Sequence, residues 1–188
     1  MQPMTTYVIL LRGVNVGGKN KVSMSELKLF LEEQGLRNVS TYIQSGNAIA
    51  QSDVDAATLT DTIEKGLPNS FKLDSSVINV LVLSRDQLQA VIDDKPEGFG
   101  EQPGKYHSDA IFLMGINATQ AMPVFAPRDG VDTVWPGDGV IYSQRLSALR
   151  TKSRLNRIMA SPLYKSMTIR SWSTTMKLCD LARKADVG

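Results

Sequence analysis

The chain holds one cysteine and one histidine in 188 residues. Cys179 has no partner for an internal disulfide, and with His107 it falls short of the four protein ligands of a structural zinc site. No metal and no other cofactor is therefore expected, and the reducing cytoplasm is the expected compartment. Long apolar runs are missing as well. The longest near the N-terminus, Tyr7 to Leu11, is far shorter than the ~20 residues of a membrane helix, and no basic segment leads a longer apolar stretch as in a signal peptide. Neither export nor a membrane partner is expected.

Acidic residues are scarce towards the C-terminus. Residues 145–188 hold ten Lys or Arg against Asp180 and Asp186, a balance of +8, whereas residues 1–144 hold eleven against seventeen, a balance of −6. The overall charge of +2 hides this asymmetry, which makes the C-terminal part a candidate anion-facing surface. With 42% hydrophobic and 21% charged residues, the remaining composition is that of a globular chain with a buried core. Its length suits one ordinary domain or two small ones.

The first 84 residues alternate between two periodicities. Thr6 to Arg12, TYVILLR, reads as a buried strand that runs into the Gly-rich stretch GVNVGGKN. Ser23 and Glu26 form a capping-box pattern ahead of a helix whose apolar stripe is Met24, Leu27, Phe30 and Leu31, and Gly35 supplies the left-handed stop. VSTYIQS and NAIAQS then read as a hairpin turning at Gly46. A second helix is expected from about Ala56, stopped by Gly66 and Pro68, and Ser76 to Ser84 is the fourth strand. The order β-α-β-β-α-β is the ferredoxin-like split βαβ arrangement.

A short helix, Arg85 to Asp93, follows behind a Ser84-x-x-Gln87 box, and the Pro- and Gly-rich segment after it is a linker or lid candidate. Beyond it the order recurs without sequence repetition: a strand SDAIFLM, a short turn TQAMPVF, strands DTVWP and GVIYSQ, a helix from Thr151 to Ala160, a strand SMTIRS and a closing helix from Thr174 to Lys184. The expected fold class is thus α+β, with two small subdomains. Residues 1–93 form the ferredoxin-like one, 94–106 the linker or lid, and 107–188 a degenerate second copy carrying the basic C-terminal helices.

Gly13 to Asn20 matches the phosphate-binding pattern G-x-x-x-x-G-K-[ST] except at its last position, Asn20. An amide is a poor magnesium ligand there, and the helix cap at Ser23 leaves Lys19 outside the first helical turn. An antiparallel sheet is also the wrong scaffold for such a loop, so a nucleoside triphosphatase is disfavoured. Two readings stay open. The glycines permit a tight connection flanked by solvated lysines, or Arg12, Asn15, Lys19, Asn20 and Lys21 form an anion site beside a helix N-terminus.

The motifs LLRGVNVGGKNKVSMSEL, TYIQSGN and MTIRSWSTTMKL together resemble a mostly bacterial family of uncharacterised proteins, domain-of-unknown-function family sixteen-ninety-seven, over nearly the whole chain. The family pattern carries Arg12, Gly13, Asn15, Val16, Gly17 and Gly18, then Gln44, Ser45, Gly46 and Asn47, then Arg170, Trp172, Thr174, Lys177 and Leu178. Where its members usually read R-N-W-N-T, this chain has Ser171 and Ser173 in place of two asparagines. The resemblance implies two α+β units, the first ferredoxin-like, and no established activity.

In a split βαβ unit the loop after the first strand and the turn after the second share one end of the sheet, which would bring Arg12 and Asn15 near Gln44, Ser45 and Asn47. Acylphosphatases place a phosphate-binding loop and a water-orienting Asn at this end, an analogy of fold alone. Hairpin chemistry is the plainer account of QSGN. Arg150, Arg154 and Arg157 would line one face of the expected Thr151–Ala160 helix, as a phosphate-neutralising row or as a solvated face. Arg170 beside Trp172 suits stacking on a base, although a Trp between strand and helix is more often core. An RNA-recognition sheet is disfavoured for want of aromatic stacking pairs.

The expectation is a cytoplasmic protein that binds a phosphate-bearing small molecule or nucleic acid. Its expected ligand residues are Arg12, Gly13, Asn15, Gly17, Gly18, Lys19, Gln44, Ser45, Asn47, Arg154, Arg170 and Trp172. The alternatives are a small phosphohydrolase of acylphosphatase type and an interaction module without a small ligand. No nucleophile–base pair stands out.

Overall fold

The computed structural model describes residues 3–187 and divides into two compact units, one running to Gln89 and joined by the segment from Lys177 onward, the other Ala90–Met176. In the first unit the order is β1 (Thr5–Leu11), α1 (Met24–Glu33), β2 (Arg37–Thr41), β3 (Asn47–Ser52), α2 (Ala56–Ser70) and β4 (Val80–Ser84). Its antiparallel sheet runs β2-β3-β1-β4, the ferredoxin-like order expected from the sequence.

β1 lies between β3 and β4 with both edges paired, and Thr6 to Leu11, whose side chains alternate between the two faces, are all buried. That double burial explains the uninterrupted apolar run. Tyr7, Ile9 and Leu11 belong to a core shared with Leu27, Phe30 and Leu31 of α1 and Leu59, Ile63 and Leu67 of α2. Each such side chain contributes about 1.5–3 kcal/mol on burial. Ser23 caps α1 by accepting from the Glu26 N–H at 3.1 Å. The helix α2 does not stop at Gly66 and Pro68. It runs on to Ser70, with Pro68 inside its last turn, where its Leu67 side chain is still held in the core.

The second unit repeats the plan. It comprises β5 (Tyr106–Leu113), α4 (Ala118–Ala121), β6 (Asp132–Pro136), β7 (Val140–Leu146) and β8 (Met167–Ser171), in the sheet order β6-β7-β5-β8. Two helices run across the division of the chain, α3 (Arg85–Asp93) and α5 (Trp172–Val187). The last turns of α5 belong to the first unit: Asp186 accepts from the Thr6 hydroxyl and pairs with Arg85 at 3.2 Å, and Gln51 Nε2 donates to the Ala185 carbonyl at 3.2 Å. For this reason the division differs from boundaries drawn at 93 and 107.

The segment 94–106 packs in the second unit as a folded loop. Phe99 is fully buried, and its ring meets those of Trp135, Tyr142 and Trp172 edge-on at 5.8, 5.3 and 5.0 Å. Tyr142 also donates to the Val91 carbonyl at 2.5 Å, and burial pushes its phenol up to about 12.

The expected helix over Thr151–Ala160 is absent. Three 3₁₀ turns, Ser147–Lys152, Leu155–Ala160 and Pro162–Ser166, take its place, so Arg150, Arg154 and Arg157 do not form a helical row. Asp132 enforces the break: its carboxylate accepts from the Ser153 hydroxyl at 2.6 Å, the Arg154 N–H at 2.8 Å and the Arg128 N–H at 3.0 Å. The bond from the Arg154 N–H captures a backbone donor that a continuous helix would need.

The packing around Trp172 and Asp132 can be tested by substitution. Gly100 has φ +74, and a Cβ there would lie 2.4 Å from Trp172 Cδ1. Gly100→Ala is therefore expected to cost about 3 kcal/mol, read as a fall in the urea midpoint with the slope unchanged. For Asp132, burial pushes the carboxyl up, but the bonds from Arg154, Ser153 and Arg128 outweigh it and hold the group below the ordinary value of 3.8. A lowered folded-state pKa stabilises above the unfolded value, and that contribution disappears as pH falls through the folded one. Urea titrations between about pH 7 and about pH 2 should show Asp132→Asn less stable at neutrality, with the difference shrinking at the acid end.

Candidate functional site

At the C-terminal end of β1 the chain enters a loop held by two asparagine side chains. Asn15 Nδ2 donates to the Val22 carbonyl at 2.8 Å and to the Gln44 carbonyl at 2.6 Å, while its Oδ1 accepts from the Val22 N–H at 2.9 Å. Asn20 is 7% exposed. Its Nδ2 donates to the Gly13 carbonyl and to Ser75 Oγ, its Oδ1 accepts from the N–H groups of Asp74 and Ser75, and its own N–H donates to the Asp74 carboxylate at 2.6 Å. Both asparagines sit at positive φ, 56° and 50°, a region Asn tolerates better than most residues.

Between them the chain makes a two-residue hairpin. Val16 bridges Lys19, the Lys19 N–H donates to the Val16 carbonyl at 3.0 Å, and Gly17 and Gly18 have φ 60° and 73°. Positive φ at both central positions is the type I′ geometry. The tip stands in open space: Val16 to Lys19 are exposed, and a Cβ on Gly13, Gly17 or Gly18 would meet nothing within 4 Å. Several amides that a phosphate cradle would need are turned inward, those of Asn15, Lys19 and Asn20 among them. The place of the P-loop hydroxyl is thus taken by a buried structural joint.

The β2–β3 turn lies at the same end, as the topology requires. The Leu11 N–H donates to the Gly46 carbonyl at 2.8 Å, and Asn15 reaches Gln44. Asn47 is fully buried, its Nδ2 donating to the Tyr42 carbonyl and to Ser45 Oγ, so its amide holds the turn. Gln44 is exposed, and its neighbour Ile43 has φ 51°, a strained setting for a β-branched residue, with 49% of its surface in solvent. Arg12 is half-buried beside this turn, and its N–H donates to the Asn79 carbonyl. The structure thus brings together Arg12, Gly13, Asn15, Gly17, Gly18, Lys19, Gln44, Ser45 and Asn47 at one end of the first sheet.

Arg154, Arg170 and Trp172 belong to the second unit. Trp172 is a member of the buried aromatic cluster and lines a cleft of about 340 Å³ with Tyr106, His107, Ser108, Ser171 and Ser173. Arg170 is buried, and desolvation pushes its guanidinium down to about 10. Arg154 donates its N–H to Asp132. Ser171 caps the start of α5, accepting from the Thr174 N–H at 3.2 Å. His107 Nε2 lies 3.0 Å from Asp109 Oδ2. Cys179 is buried.

Sequence reasoning missed Asp74 and Ser75, which anchor Asn20 across 54 and 55 residues, a separation no local pattern signals. It also missed Asp109, Ser143 and Arg145, although the alternation Ser143–Arg145 on a strand places both on one face. Among the described residues, no helix is long and apolar enough to cross a membrane, and no group of three or more His, Cys, Asp and Glu side chains is placed to hold a metal.

The sequence profile of the DUF1697 family, proteins of unknown function, matches residues 4–142. The chain belongs to this family. A solved structure with the same fold, described as that of the conserved bacterial protein SP0830 from Streptococcus pneumoniae, is 26% identical, covers 96% of this chain and 99% of its own, and superposes with a TM-score of 0.76. No functionally curated protein matches the chain.

The Asn20 joint makes the near-match to a P-loop testable. Asn20→Thr completes the nucleotide-binding pattern yet leaves the Asp74 and Ser75 N–H groups short of their acceptor. It is expected to lower stability by about 2–3 kcal/mol and to confer no binding of magnesium-ATP at millimolar concentration, measured by denaturant unfolding and calorimetry.

Proposed function

We propose that this protein binds a phosphate-bearing ligand, and that the form its loop suits is an extended nucleic-acid backbone rather than an enclosed nucleotide. The observation that carries this reading is the open tip at Val16 to Lys19, anchored at its base by Asn15 and Asn20. Two glycines there let a ligand backbone approach closely, and the asparagine bonds beneath fix the tip before any ligand arrives. Lys19 and Lys21 are exposed beside it, with Arg12 at its base, and such side chains neutralise phosphates without enclosing them.

The second unit supports the same chemistry. From Arg145 to Arg170 the chain carries seven Lys or Arg and no acidic residue, and Arg150, Lys152, Arg157 and Lys165 are exposed. The strained, exposed Ile43 next to Gln44 fits a contact surface, since backbone strain tends to collect at functional sites. Against the phosphohydrolase alternative, the buried Asn47 amide is engaged with Tyr42 and Ser45, which leaves only Gln44 of its two candidate amides exposed at this end. A bacterial, cytoplasmic setting fits this reading.

Fluorescence anisotropy with short single- and double-stranded oligonucleotides tests it. Binding is expected at about 50 mM salt and should weaken steeply by about 200 mM. Lys19→Ala with Lys21→Ala should weaken all sequences alike and flatten the salt dependence by about 0.7–0.9 for each phosphate no longer neutralised. Absence of binding at the lower salt, or a double variant indistinguishable from the parent, would overturn the reading.

A further inference from the structure

The second sheet has a face only partly roofed. In the first unit α1 and α2 span 10 and 15 residues, but in the second α4 has four, and the 3₁₀ turns replace its partner. Pro123 and Pro162 stand two residues past α4 and past the Leu155–Ala160 turn, where neither has an N–H to extend the helical bonding. Beneath the shortened roof lies a cavity of about 310 Å³, within the range of small-molecule sites. Its apolar wall is Ile111, Ile169, Leu155 and Ile158, with Met159 at 62% exposure.

The sheet strands also bring two unlike charges to this cavity. Asp109 on β5 stands opposite Ser143 on β7, and Arg145 is two residues further along the same face. The Asp109 side chain is only 15% exposed, and Arg145 is half-buried. They do not form an ion pair with each other; the Arg145 guanidinium acts through space on Asp109 and on Asp132. Two partly desolvated charges of opposite sign that line one apolar-walled cavity without closing into an ion pair are complementary to a ligand that carries both signs close together.

We propose that this cavity binds a small zwitterion with an apolar side chain, of the class of the aliphatic α-amino acids. The carboxylate would pair with Arg145, with the Ser143 hydroxyl alongside, the ammonium would face Asp109, and the hydrocarbon would cover Leu155, Ile158 and Ile169. His107 contacts the same carboxylate from the strand end, at 3.0 Å, and Asp132 lies opposite Arg145 on β6, so the ligand ammonium competes with His107 and its carboxylate with Asp132. The site lies wholly within the second unit and does not depend on nucleic-acid binding by the β1–α1 loop.

Calorimetric titration of the full chain with L-leucine, 4-methylpentanoate and 3-methylbutylamine tests the assignment. Leucine is expected to saturate, and the two analogues, each lacking one charge, should bind at least about tenfold weaker. Arg145→Met should remove leucine binding. Met159→Ser, at an exposed position, should weaken it several-fold without altering thermal stability, and Lys19→Ala should leave it unchanged. Equal binding of leucine and 4-methylpentanoate would overturn the role of Asp109 and with it the zwitterion. Failure of leucine to bind at about 10 mM, or binding that survives Arg145→Met in a folded variant, would overturn the site altogether.

Discussion

The buried carboxamide of Asn20 is the joint on which the first unit's exposed end depends. It ties the Gly13 carbonyl, where β1 has just ended, to the backbone of Asp74 and Ser75, which leads into β4. A residue with one donor group and one acceptor group on a planar head does this without introducing charge, and it occupies the left-handed region at less cost than a larger side chain. Asn15 performs the matching task toward Val22 and Gln44. With both in place, the glycine hairpin between them is tied at both of its ends.

This explains why the motif invites a wrong comparison. A P-loop uses its glycines to turn amides toward an anion and its hydroxyl to hold a cation. Here the glycines provide a reversal of chain direction, and the residue at the hydroxyl's place is consumed by the fold. Similar spacing therefore serves opposite geometries, concave in one case and projecting in the other.

The β-α-β-β-α-β order of the first unit and the four strands of the second were legible because strand and helix periodicities differ and because turn residues punctuate them. Thr5–Leu11 announces a central strand by being apolar on both faces, and Asn47–Ser52 is bounded by the Gly46 turn. The shared end of β1 and β2 followed from topology alone. What local pattern could not supply was the competition for backbone bonds. Arg150, Arg154 and Arg157 have helical spacing, but Asp132, more than twenty residues away, takes the Arg154 N–H and the Ser153 hydroxyl and turns the segment into 3₁₀ pieces. Likewise 94–106 has a linker's composition, and only the pairing of Phe99 with Trp135, Tyr142 and Trp172 makes it part of a core.

The same competition accounts for how one plan gives two different surfaces. In the first unit long helices seal the sheet with Leu, Ile and Phe, leaving its chemistry to the loops at the strand ends. In the second, Asp132 and the prolines keep the roof short, and the sheet positions beneath it are free to carry Asp109, Ser143 and Arg145 instead of more hydrocarbon. A charge on a sheet face must be paired within the protein or left room for water or a ligand. The shortened roof and the charged face are therefore one feature: lengthening the helices would desolvate Asp109 and Arg145 further, and making the face apolar would remove the reason for the gap.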